Sequence, residues 1–121
     1  KTFIILSLIF VLIDSIYLKL MSPHFKSLVK TIQGGKEMEF RYIPAIFCYL
    51  FLVFALQYFV INKQASNLDA AILGWVIYGV FETTNATIFK DWDMKSILID
   101  TTWGGILYGL TTFIYYKLIN M

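Results

Sequence analysis

One cysteine and one histidine are the whole soft-ligand inventory of this 121-residue chain. A single Cys48 excludes an intrachain disulfide and a cysteine-based zinc site. It lies in an apolar run and is expected to behave as a small free hydrophobe. A lone His24, placed in a loop by this reading, excludes a histidine-rich metal or haem site. It is expected at the surface rather than in catalysis. No nucleotide-binding glycine loop, no G-x-S-x-G and no Cys/His pair occurs, so no cofactor is expected. Charge is scarce as well. Charged residues make up 15% of the chain, and the net charge of +2 carries no basic stripe of the kind that binds nucleic acid.

What fills the chain instead is apolar. Hydrophobic residues reach 59% and mean hydropathy is +0.70. A soluble domain is about half apolar and a quarter charged, so this chain has too little polar surface to cover itself in water. The composition implies an integral membrane protein, all-α, in a single domain over residues 1–121, with the lipid bilayer as its first partner.

A spanning helix needs about 20 apolar residues. Four runs qualify, near 2–21, 42–61, 68–89 and 96–118. The first has the basic start and apolar centre of a signal peptide. Asp14 interrupts that centre and no A-x-A pattern follows, so it is read as a retained helix. The short polar turns 62–67 and 90–95 predict antiparallel neighbours, giving an antiparallel bundle of four transmembrane helices. In the longer first loop, Phe25, Leu28, Val29 and Ile32 recur at helical spacing, with Lys26 and Lys30 off that face. This predicts a short interfacial helix over 24–33 that ends at Gly34-Gly35. Lys26, Lys30, Lys36, Arg41, Lys90 and Lys95 fall on one side, against Lys1, Lys63 and Lys117 on the other. The positive-inside rule then makes the first and third loops cytoplasmic, in a bacterial inner membrane.

Three acids interrupt the apolar runs. Asp14 lies near the end of the first, Glu82 near the end of the third and Asp100 near the start of the fourth. At 1.5 Å of rise per residue, all three fall in one layer roughly 6–10 Å below the surface bearing the first and third loops. Each has a companion three residues on, and therefore on the same helix face: Tyr17, Asn85 and Trp103. A carboxylate in the membrane costs about 2.5–3.5 kcal/mol at a helix centre and is tolerated where it faces inward and is paired. Asp14, Glu82 and Asp100 are thus the candidates for catalysis or for holding a metal or other cation. Tyr17, Asn85 and Trp103 are the candidates for contacting a substrate. An inert polar network that fixes helix packing is the competing reading. Gly105 and Gly109 form a G-x-x-x-G that serves either a homo-oligomer or packing within the chain. Tyr42, Tyr58, Trp92 and Tyr115 sit near span ends, where an interfacial aromatic belt is expected.

The segments LIDSIYL (12–18), YGVFETTNATI (78–88) and LIDTTWGG (98–105) carry a resemblance. An Asp late in the first span, an acid-x-Thr-Asn run in the third and Asp-x-x-Trp-Gly in the fourth resemble a family of small bacterial membrane proteins catalogued as domain of unknown function 2177. The resemblance covers nearly the whole chain. It implies four helices, a membrane location and Asp at the position of Glu82; it implies no activity. Three functions therefore stay open: binding or transport of a proton, cation or small substrate; an intramembrane acid–base enzyme acting on a lipid or isoprenoid; and a structural subunit of a membrane complex.

Overall fold

A computed structural model describes residues 1–35 and 41–120, which form helices and turns without a strand among them. Helix α1 covers Thr2–Ile32 and α2 covers Tyr42–Leu56, continued by one π turn over Gln57–Ile61. Helices α3 and α4 cover Asn67–Ile88 and Met94–Ile119. By length and composition, α1, α2 with its π turn, and α4 can cross a membrane, with mean hydropathies of 2.3, 2.1 and 1.2 in their most apolar windows. Helix α3 is long enough at 22 residues, but Asp69 and the run from Glu82 to Asn85 dilute its apolar character. Lys36, one of the loop charges counted above, lies outside the described residues.

The first loop differs from expectation. No separate helix occupies 24–33; that stretch is the last third of α1, which runs through Pro23 for 31 residues. A proline inside a helix deletes one backbone hydrogen bond and costs about 3 kcal/mol. Contacts made beyond the proline offset that cost. His24 Nε2 lies 2.8 Å from Ser96 Oγ, the Phe25 ring packs on Trp92, and Leu28 is buried. The apolar face was read correctly, but it faces protein. Gly34 and Gly35 end the helix as expected, at φ +67° and +94°, and the Gly35 amide closes on the Lys30 carbonyl at 2.8 Å.

Local chemistry fixes the other starts. Ser66 Oγ caps α3 by accepting the Asp69 amide at 3.1 Å, and Asp93 Oδ1 caps α4 by accepting the Ser96 amide at 3.0 Å. Helices α3 and α4 approach through glycine. A Cβ on Gly74 would lie 2.7 Å from Tyr108 Cβ, and one on Gly104 would meet the Tyr78 side chain at 2.5 Å. Gly105 and Gly109 lie on the same seam, against the Ala71 carbonyl and the Ala71 side chain. The G-x-x-x-G therefore packs within the chain.

Leu6, Phe10, Val53, Leu56, Val60, Ala70, Leu107 and Tyr108 form the apolar core. They come from the start of α1, the end of α2, the start of α3 and the second half of α4. That core fills one half of the molecule and leaves the acids in the other. Large apolar side chains cover the outside, including Leu12, Ile43, Phe51 and Ile88, a surface suited to lipid.

Candidate functional site

The three acids are all buried, with Glu82 fully so and Asp14 and Asp100 exposed by 6% and 8%. Their partners differ. Asp14 on α1 is satisfied at both oxygens: Tyr49 of α2 donates its hydroxyl to Oδ2 at 2.5 Å, and Trp103 of α4 donates its indole N–H to Oδ1 at 2.9 Å. Three helices are tied together at this one carboxyl. Asp100 Oδ1 accepts the Tyr17 hydroxyl at 3.0 Å. Glu82 Oε1 accepts the Trp92 indole N–H at 2.8 Å, while Glu82 Oε2 is buried with no partner.

Glu82 and Asp100 are neighbouring carboxyls that line one cavity. Neither can donate while both are ionised. The stack of Tyr17 on Trp103, with ring centroids 4.5 Å apart and planes 3° from parallel, joins this pair to Asp14. The acids therefore form a line rather than one cluster. It runs from Tyr49 to Asp14, through the stacked Trp103 and Tyr17, to Asp100, Glu82 and Trp92. Among the described residues no three Asp, Glu, His or Cys side chains converge as metal ligands. Asp14 is hydrogen-bonded to Tyr49 and Trp103 and to neither of the other two acids.

A cavity of about 530 Å³ lies over the pair, within the size range of small-molecule sites. Tyr17, Glu82 and Asp100 supply its polar groups, and Leu18, Met21, Phe25, Phe81 and Trp92 its apolar walls. Ser22 and the exposed Lys26, one turn apart on α1, complete the lining. The continuation of α1 beyond Pro23 is what supplies Phe25 and Lys26 to this space.

Of the expected companions, Tyr17 and Trp103 join the acids. Asn85 does not. It is half-buried, and its backbone carbonyl accepts the Phe89 amide at the end of α3. Tyr49 and Trp92 are the members that the sequence reading missed. Trp92 was assigned to the aromatic belt but turns inward to Glu82, and Tyr115, assigned likewise, is buried with its hydroxyl 3.3 Å from Thr2 Oγ1. Tyr42 and Tyr58 are exposed as a belt requires. His24 is half-buried against Ser96 rather than free at the surface. Cys48 is free, and it is exposed on α2 rather than packed in the core.

At the entrance to α4, the Ser96 hydroxyl and amide hold the Asp93 carboxyl below the usual carboxylate range. Asp93 thus bonds Ser96 and not the His24 ring, which is unlike the acid–histidine–serine order of a hydrolase triad.

The family model described as "Predicted membrane protein (DUF2177)" matches residues 1–117. The chain belongs to this family. The match runs through all four helices, so the three acids of this DUF2177 protein lie inside the shared region. No curated protein and no solved structure matches it.

Proposed function

We propose that this protein is an antiparallel bundle of four transmembrane helices whose Glu82–Asp100 pair binds a cationic group, a proton or an ammonium, presented from the end bearing the first and third connections. The order of partners supports the antiparallel arrangement: Thr2, Asp14, Tyr17 and His24 of α1 meet Tyr115, Trp103, Asp100 and Ser96 of α4. An excess of Lys and Arg near the first and third connections favours a cytoplasmic position for that end, in a bacterial inner membrane.

The observation that carries the reading is the buried, unpartnered Glu82 Oε2 beside a second carboxyl at the wall of a sizeable cavity. Two adjacent carboxylates repel and cannot bond to one another. A proton or an ammonium between them supplies the missing donor and removes the repulsion. Carriage across the bilayer then needs a second conformation or a further copy of the chain, because Leu6, Phe10, Leu56 and Leu107 fill the other half. The apolar cavity walls favour one further reading, an intramembrane enzyme that uses the pair as acid and base on a lipid.

Difference infrared spectroscopy in vesicles tests the proposal through the carboxyl stretch. Adding an alkylammonium is expected to shift the bands of the pair, and the shift is expected to vanish in Glu82→Gln. An unchanged wild-type spectrum refutes cation binding. Flux into proteoliposomes that is lost in Asp100→Asn assigns transport, and an altered lipid without flux assigns the enzyme.

A further inference from the structure

The cavity over the acid pair carries two kinds of charge. Glu82 and Asp100 lie among its polar groups, and Lys26 belongs to its lining from the solvent-exposed part of α1. Helical side chains lean toward the N-terminus of their own helix. Lys26 lies nine residues beyond Tyr17 on α1, and so leans back toward the acid layer. The separation along the axis is roughly 13 Å, which a lysine side chain and a two-carbon ammonium–phosphate unit cover together. Between these charges the walls are apolar, formed by Met21, Phe25 and Phe81.

We infer that the ligand is a zwitterion with a primary ammonium and a phosphate ester, of the phosphoethanolamine type. Its ammonium docks on Glu82 and Asp100 and its phosphate on Lys26. This rests on the ammonium-binding reading of the pair. Glu82 Oε2 is buried and lacks a donor. A primary ammonium brings three donors, whereas a quaternary ammonium brings none. Trp92 spends its indole N–H on Glu82 and packs beside Phe25 and Phe89, so the arrangement satisfies a hydrogen-bonding cation rather than caging a methylated one. The apolar walls accommodate the glycerol and acyl carbons of a lipid that carries this headgroup.

The test uses the full chain in mixed micelles, with bound lipid read by native mass spectrometry. The probes are phosphatidylethanolamine, phosphatidylcholine, dodecylamine and soluble phosphoethanolamine. Wild type is expected to retain phosphatidylethanolamine at least tenfold over phosphatidylcholine. Lys26→Gln, a change at an exposed position, is expected to lose that preference about tenfold while binding dodecylamine unchanged. Glu82→Gln is expected to lose both ligands. Competition by soluble phosphoethanolamine at similar concentration identifies a soluble source for the headgroup, and no competition identifies the lipid. Should dodecylamine bind as tightly as phosphatidylethanolamine, with Lys26→Gln silent, the zwitterion inference is overturned and the ammonium reading stands. Should wild type bind neither amine, both fail, and this arm needs no variant to fold.

Discussion

The three buried acids respond to substitution in different ways, and Asp14 shows why. Its two oxygens accept from Tyr49 and Trp103. In Asp14→Asn the amide oxygen still accepts from Trp103, and the Tyr49 hydroxyl can turn to accept from the new NH₂. Both bonds survive as neutral ones. Charge-assisted bonds are about twice as strong as neutral ones, and interhelical bonds in membranes average about 0.6 kcal/mol, so the loss is about 1 kcal/mol. Asp14→Leu has a similar size but accepts nothing. It strands a buried indole N–H and a buried hydroxyl, each costing about 1–3 kcal/mol. Removing a carboxyl from an apolar setting offsets part of this, so about 2–4 kcal/mol is expected. Reversible unfolding in mixed micelles with increasing SDS, followed by tryptophan fluorescence, measures the series. Equal losses for Asn and Leu would show that charge rather than hydrogen bonding holds Asp14. A Leu variant as stable as wild type would refute the anchoring argument entirely.

Glu82→Gln is expected to cost less than about 0.5 kcal/mol or to stabilise, because the amide keeps Trp92 as a donor and offers Asp100 an N–H where Oε2 now has no partner; the same unfolding assay reads it. Gly104→Ala is expected to cost about 1–3 kcal/mol by forcing α3 from α4, since its Cβ would meet Tyr78 and the Gly74 carbonyl; a smaller effect than Gly109→Ala would contradict the seam. The Asp93 cap gives a pH dependence. Its folded carboxyl sits below the usual range, so its contribution is full above the unfolded value and is lost as pH falls through the folded one. Asp93→Ala is expected to cost about 1 kcal/mol at neutral pH, while Asp93→Asn keeps the cap and flattens the acid limb of the stability profile.

Position along each helix was largely legible in the sequence, and azimuth was not. Runs of apolar residues located the second, third and fourth helices to within a few residues, and the start of the first, whose end at Ile32 lies well past the expected residue 21. The rise per residue put Asp14 and Asp100 at neighbouring heights, linked through Trp103 and Tyr17. Spacing by three also picked out Tyr17 and Trp103 as neighbours of the acids, though each bonds the acid of the other helix. Nothing in a single sequence states how each helix is rotated, so it could not separate Asp14 from the other two acids. Tyr49 lies on a helix with no acid of its own, and Trp92 lies in a connection where an interfacial role was the simpler reading. The break expected between residues 21 and 24, where Pro23 lies, is absent for a related reason. A local helix breaker was outweighed by the contact of His24 with Ser96, 72 residues away, and a contact at that separation leaves no local pattern.

Unequal satisfaction is the property that distinguishes these acids, more than burial, which they share. A network selected only to hold helices together gains from pairing every oxygen, as Asp14 does with partners on two other helices. Glu82 departs from that rule at the most buried of the three positions. A glutamine there would satisfy more atoms with the same shape, so stability alone does not account for a carboxylate. Asp14 also fixes Trp103, whose ring lies on Tyr17, and Tyr17 in turn donates to Asp100. The satisfied acid thereby positions the carboxyl neighbour of the unsatisfied one through an aromatic stack. This division of labour makes an amide tolerable in opposite senses at the two sites: Asp14→Asn should lose stability and keep ligand, and Glu82→Gln should keep stability and lose ligand.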